Sequence, residues 1–196
     1  VEAHHSDQGG DSPSVPTLYT VGHGNRSAEE FLDVLRAAAV GCIVDVRAYP
    51  VSRRHPQFSQ TTLADFLGKA GVDYRWLGKA LGGFRQASSA SVHTALAAGS
   101  LRAYADHMGS AVFLEGIAEL LHRARLTPSA VLCAERLPEQ CHRAMISDYL
   151  TASGVRVIHI LDRDSRVSHR LDGRARWAQG RLLYDQRSRD QLEWEF

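Results

Sequence analysis

Cysteine, lysine, long apolar runs and an excess of either charge are all scarce in this chain, and each scarcity narrows the field. Three cysteines cannot all pair, and none lies in a dense spacing pattern, which argues against a disulfide scaffold. No apolar run approaches the ~18 residues that a membrane-spanning helix requires. Val1 to Pro16 lacks the apolar core of a secretory signal. The expectation is a cytoplasmic protein with reduced thiols and no membrane partner. The 23 basic and 22 acidic side chains leave a net charge of +1, too balanced for a nucleic-acid coat or a membrane-surface binder. Among the basic residues only Lys69 and Lys79 are lysines, and the rest are arginines. Genomic base composition can produce that bias. Arginine is nonetheless the side chain whose planar fork suits phosphate and carboxylate, so where the arginines fall is what matters.

What is present suits a globular fold. Over 196 residues, 44% are hydrophobic and 23% charged, enough to bury a core and to exclude whole-chain disorder. Residues 1–16 are polar and read as a mobile tail. Strands are expected at Thr17–Val21, Cys42–Val46, Val72–Leu77, Ala130–Ala134 and Val155–Leu161. A helix should begin at Ser27, which has capping-box spacing with Glu30. Further helices are expected at Thr62–Ala70, Leu101–His107, Ala111–Arg125 and Cys141–Ser153. Gly71 and Gly154 follow as C-terminal caps. Gly78–Ser100 has no clear period and reads as a long loop, a possible lid. This alternation predicts an α/β fold: a mainly parallel sheet of about five strands with helices on both faces, Rossmann-like and three-layered. Residues 17–161 would form that domain, with 162–196 as a C-terminal extension packing on it.

In such sheets ligands bind outside the C-terminal edge of the strands, and the polar residues gather at those ends. The first strand ends in His23 and Asn25, with Arg26 behind. The second ends in Asp45 and Arg47, followed by Ser52, Arg53, Arg54 and His55 in a loop. The third runs into Lys79, Gly82, Gly83 and Arg85, and the fourth ends at Cys133 and Glu135, with Cys141, His142 and Arg143 beyond. Asp45 and Cys133 interrupt apolar runs, where a polar residue needs a reason.

Each piece admits a plainer reading. Gly22-His23-Gly24-Asn25 is either a tight turn or an anion cradle of backbone amides at a helix start. Asp45 and Arg47 could form an internal salt bridge. Cys133, Cys141 and His142 could hold a metal, although the spacing matches no structural zinc pattern. Cys141, near a helix N-terminus and beside His142 and Arg143, could instead be a reactive thiol with a lowered pKa. The preferred reading makes His142 and Arg143 anion-binding groups, Glu135 an acid, base or orienting partner, and the cysteines mostly buried space-fillers.

Several of these segments resemble a known family. Tyr-Thr-Val-Gly-His-Gly-Asn-Arg-Ser at 19–27, Val-Asp-Val-Arg at 44–47, Ser-Arg-Arg at 52–54 and Pro-Gln-Phe at 56–58 are similar to the domain-of-unknown-function family 488. So are Leu-Gly-Gly at 81–83, Tyr-Ala-Asp-His-Met at 104–108 and the Cys-Ala-Glu…Cys-His-Arg run at 133–143. The chain departs from that pattern at Gly24, where the family commonly has serine, and at Lys79-Ala80, where it often carries an acid. The resemblance implies an α/β domain with a shared polar pocket, and no established reaction.

The leading expectation is an enzyme for a phosphate-bearing or nucleotide-like molecule, hydrolysing an ester or glycosidic bond. His23, Asp45 and Glu135 would be the acid/base groups. Asn25, Arg26, Arg47, Ser52, Arg53, Gly82, Gly83, Cys133, Cys141, His142 and Arg143 would bind substrate. No cofactor fingerprint is present, and no metal is assigned. The alternatives are a nucleic-acid-binding module, with Phe58, Tyr74, Trp76 or Phe84 stacking on bases, and a thiol or metal protein built on Cys133, Cys141 and His142.

Overall fold

The structure is a computed structural model that describes residues 17–86 and 88–186. The expected N-terminal tail and the last residues of the C-terminal extension lie outside the described residues. Strand β1 is Thr17–Gly22, β2 Cys42–Asp45, β3 Asp73–Trp76, β4 Ser129–Cys133, β5 Arg156–Asp162 and β6 Ser165–Ser168; β7 is Ala175–Ala178 and β8 Arg181–Tyr184. Helix α1 is Ala28–Ala37, α2 Gln60–Lys69, α3 Gly78–Leu81, α4 Ser100–His107, α5 Ala111–Leu126 and α6 Arg143–Ala152. Short 3-10 turns occupy Pro56–Phe58 and Pro138–Gln140. Among the described residues no helix is long and apolar enough to cross a membrane.

Local chemistry explains most boundaries. Ser27 Oγ accepts from the Glu30 amide at 3.1 Å while the Glu30 carboxylate accepts from the Ser27 amide at 2.8 Å, closing the expected capping box. Gly71 and Gly154 follow α2 and α6 with φ of +76° and +88°, the left-handed turn that glycine adopts without a Cβ penalty. Three expectations are corrected. The loop from Gly78 opens with α3, because Leu81 is drawn into the core. Its far end is pinned where the Ala95 amide donates to the Tyr184 carbonyl. The last helix starts at Arg143, since Cys141 is extended backbone with φ −149° and ψ 166°. Beyond Asp162 the chain forms β6, β7 and β8, strands that the sequence reading did not anticipate.

The main sheet has six strands in the order β3-β2-β4-β1-β5-β6. β1 to β5 pair in parallel, and β6 runs antiparallel to β5. β7 and β8 form a separate antiparallel pair. The chain steps outward from β1 to β2 to β3, then back to β4 and across to β5. Right-handed crossovers must put the helices of the two journeys on opposite faces, and the cores show that they do. Phe31, Leu35, Leu63 and Leu67 of α1 and α2 pack with Val21, Ile43 and Leu132. Phe113, Leu120, Ile146 and Leu150 of α5 and α6 pack with Leu18, Val44, Val131 and Val157. Ala175, Leu182 and Tyr184 of the small hairpin join this second core.

Candidate functional site

β1 and β4 are neighbours whose onward connections leave in opposite directions and on opposite faces. Adjacent strands whose connections leave on opposite faces make a topological switch point, and open α/β sheets bind ligands outside the C-terminal strand ends at such points. His23 follows β1, Cys133 ends β4, and Asp45 and Arg47 come from β2 on the far side of β4.

Asp45 is fully buried. Its carboxylate accepts from Arg47 Nε at 2.9 and 3.1 Å, Arg47 Nη2 at 2.5 Å, the Arg47 amide at 3.0 Å and Tyr74 Oη at 2.6 Å. Burial and the adjacent carboxylate both push the Tyr74 phenol upward, so it stays a donor. With its oxygens so engaged, Asp45 anchors Arg47 and is not a free acid or base. Trp76 Nε1 holds the Arg47 carbonyl at 2.8 Å, and Arg47 Nη1 lies 3.4 Å from His23 Nε2. His23 is buried, stacks on Phe58 with ring centroids 4.3 Å apart, and donates from Nδ1 to the Gly24 carbonyl at 2.8 Å. Burial, helped by the Arg47 charge, lowers its pKa from 6.5 to about 4. Its imidazole is therefore neutral near pH 7.

Beside this wall, the Cys133 and Cys141 sulfurs and an imidazole nitrogen of His142 lie within 4.8 Å of one another. The Cys141 thiol donates to Cys133, which falls far below the ordinary thiol range; His142 and the Arg143 charge pull it down further. Cys141 rises because it keeps the shared proton and is buried. Cys141 precedes the last helix in extended backbone, so it does not sit in that helix's first turn. His142 Nε2 donates to the Val46 carbonyl at 3.2 Å.

Arg143 is 1% exposed. Its Nη2 donates to the Arg136 carbonyl at 3.1 Å. Among the described residues its Nε and Nη1 have no acceptor. A buried guanidinium with orphaned donors is costly unless a charge and acceptors answer it. The Arg143 charge lowers the neighbouring Cys133 thiol, and two donors are left without a partner among the described residues. The two sulfurs and His142 could supply three ligands to a soft metal. The neighbouring Arg143 charge opposes a divalent cation there, and the described residues offer no fourth side-chain ligand.

Other expected site residues lie elsewhere or are occupied. Glu135 is exposed, and it is its carbonyl that packs under the site: a Cβ on Gly22 would stand 1.8 Å from that oxygen. Asn25 and Arg26 line a separate groove of about 370 Å³ with Arg136 and Asp162. Arg26 is spent on the Gly22 and Leu161 carbonyls at 2.7 and 2.6 Å. Ser52 Oγ accepts from the His55 amide at 2.9 Å, and Arg53 is exposed. Gly82 and Gly83 line the site by being small: a Cβ would meet Ala48 at 2.8 Å in one case and His142 Nδ1 at 2.6 Å in the other. Of the amides that an anion cradle at Gly22–Asn25 would use, those of His23 and Gly24 donate to the Cys133 and Ala134 carbonyls at 3.1 and 2.9 Å, which ties this turn to β4.

One constellation escaped the sequence reading. Thr20 Oγ1, His159, His169, Asp148 and Tyr184 Oη form a buried chain with successive contacts of 2.7, 2.9, 2.8 and 2.7 Å. Its signal was available: His159 interrupts the apolar run Val157–Leu161 just as Asp45 interrupts its own.

The family model described as "Domain of unknown function DUF488" matches residues 27–150. That span contains Asp45, Arg47, Tyr74, Cys133, Cys141, His142 and Arg143. Comparison with curated proteins and with solved structures gives no match. The match spans more than half of the chain, and the chain therefore belongs to the DUF488 family of domains of unknown function.

Proposed function

We propose that the protein is a hydrolase for a small phosphate-bearing ester, with the Cys133 thiolate as nucleophile and Arg143 as the anion-binding group. The observation that carries this reading is Arg143, buried with Nε and Nη1 unanswered beside Cys133 at the end of β4, whose thiol its charge lowers. Phosphate oxygens offer the planar pair of acceptors that a guanidinium fork fits.

In the first step sulfur attacks phosphorus and the bond to the leaving oxygen breaks. Once Cys133 is bonded to phosphorus it no longer accepts the Cys141 hydrogen, so that proton passes to the departing alkoxide. In the second step the Cys141 thiolate takes a proton from water as the water attacks phosphorus. Inorganic phosphate leaves, and the starting thiolate–thiol pair returns. Asp45 and Tyr74 hold Arg47, which with neutral His23 forms a fixed wall of the pocket. The acid/base carboxylates of the sequence reading are replaced in this scheme by the sulfur pair. We also read the architecture as a Rossmann-like three-layer domain over 17–161 with residues 162–186 packed on it, and the three free thiols as suited to the cytoplasm.

The test is turnover of an aryl phosphate and a panel of nucleotide and sugar phosphates. Cys133→Ser should lose at least about 10² in kcat, and Arg143→Ala should weaken inhibition by inorganic phosphate. Full turnover by Cys133→Ser would end the proposal.

A second reading, single-stranded nucleic-acid binding, is favoured by one surface feature. Tyr49 and Phe84, 75% and 78% exposed, lie with ring centroids 5.7 Å apart, and the exposed Arg53 and Arg54 follow Tyr49 in the chain. The other expected stacking residues are engaged: Phe58 lies under His23, Tyr74 on Asp45 and Trp76 on Arg47. Binding of an oligonucleotide that weakens steeply with salt would support this reading, and no binding at low salt would discard it.

A further inference from the structure

Three free cysteines sit in very different surroundings. Cys42 is buried, and burial raises its thiol. Cys133 is 5% exposed, and Cys141 is half-buried. Cys141 also lines a cavity of about 550 Å³ together with Met145, His159, His169, Arg174 and Tyr184. The Cys133–Cys141 pair is thus reached through Cys141, from this cavity behind the 134–142 loop.

We propose that Cys133 and Cys141 form a redox-active dithiol that reduces hydroperoxides, with Cys133 attacking and Cys141 resolving. The inference rests on the reading of Cys133 as a nucleophile and adds a substrate class to the same site. Three observations support it. The sulfurs lie within 4.8 Å of each other. Cys141 lies between a 3-10 turn and α6, outside any regular element that would resist the closing movement. Cys133 is 5% exposed, which favours a small electrophile, and a hydroperoxide is among the smallest available.

The chemistry balances. The Cys133 thiolate attacks the distal oxygen of the hydroperoxide, and the O–O bond breaks. Sulfur is oxidised to sulfenic acid, and the departing alkoxide or hydroxide takes a proton from solvent. Orphaned Arg143 donors stabilise the negative charge that develops on the leaving oxygen. The Cys141 sulfur then attacks the sulfenic sulfur, its proton leaves with the hydroxyl as water, and the disulfide closes. Two electrons have passed from the sulfur pair to the peroxide. Two molecules of a small external thiol return them. The first attacks Cys141 from the cavity and expels Cys133, the better leaving group because the site favours it as a thiolate, and the second attacks the resulting mixed disulfide, frees Cys141 and leaves as the external disulfide.

The experiment treats the full chain with equimolar hydrogen peroxide, followed by non-reducing peptide mapping. The expected result is a peptide linking Cys133 to Cys141, with Cys42 unmodified, formed at least about tenfold faster than oxidation of free cysteine. Dithiothreitol should remove the link. Cys141→Ser should accumulate a sulfenic acid at Cys133 that dimedone traps, and should proceed to sulfinic acid with excess peroxide. A wild-type chain whose Cys133 goes straight to sulfinic acid, or stays reduced, would overturn the proposal without any variant. A parallel iodoacetamide reaction separates the two claims. Rapid alkylation of Cys133 without a disulfide rejects the redox role and leaves the nucleophile. Alkylation of Cys133 no faster than of an ordinary thiol rejects the nucleophile itself.

Discussion

Asp45 and Cys133 are the residues whose importance was most legible in the sequence, and for the same reason. Each breaks an apolar run that belongs to a strand buried on both faces, and a buried polar group must be partnered. Their partners were less legible. Arg47 lies two residues from Asp45 and was a natural candidate, but Tyr74 comes from a different strand. Tyr74→Phe should cost about 1 kcal/mol of stability, the net worth of one hydrogen bond. Asp45→Asn leaves the buried Arg47 uncompensated and should cost about 3–5 kcal/mol. Chemical denaturation of the two variants checks both values, and equal losses would contradict the anchoring role. The histidines give a pH prediction. His23 and His159 titrate near 6.5 when unfolded and near 4 when folded, chiefly through burial. The unfolded chain therefore binds more protons between those values. Their contribution to stability is complete above pH 6.5 and is lost as pH falls toward 4. The thermal midpoint should decline over that window, and His23→Asn should make the decline shallower. An unchanged slope would place His23 outside the buried wall.

At the scale of elements, the sequence was most informative where a boundary is set by local chemistry. The Ser27–Glu30 box and the caps at Gly71 and Gly154 depend on neighbours within a few residues, and all are present. Ser27→Ala should cost about 1 kcal/mol, read as a shift in the denaturation midpoint. Boundaries set by distant contacts were not legible. β6 is Ser-Arg-Val-Ser, exposed along its length, so no alternation announces a strand that exists because β5 has a free edge. The 134–142 loop shows the same limit. That Cys141 donates to Cys133 depends on how the loop folds back over β1, where the Glu135 carbonyl rests against Gly22. Gly83 tests this close fit from the other side. Gly83→Ala would place a Cβ 2.6 Å from His142 Nδ1 and should displace the imidazole that helps ionise Cys133. The Cys133 pKa should rise while the fold persists. A variant with unchanged thiol titration would show that His142 is not needed there.

For the whole molecule, strand order is the fact that the sequence withheld and the structure supplies. Segments far apart in the chain meet because β4 inserts between β2 and β1, bringing Asp45 and Arg47, Cys133 and His23 to one edge. The C-terminal hairpin supports the same arrangement from behind. Tyr184 donates to Asp148 of α6 at 2.7 Å, and Leu182 is 4% exposed in the second core. Leu182→Ala should cost about 2–5 kcal/mol and loosen α6, which carries Arg143. The central claim is that this convergence holds Cys133 as a thiolate in the resting protein. Its most direct test is a pH titration of ultraviolet thiolate absorption, comparing the intact chain with Cys133→Ser and Cys141→Ser. The account predicts one thiolate already present at roughly pH 6, far below the ordinary thiol range. That signal should be absent in Cys133→Ser and should move to higher pH in Cys141→Ser, where the thiol donor is replaced. A chain with no thiolate absorption until the pH of a free cysteine, or one whose early signal survives Cys133→Ser, would contradict it.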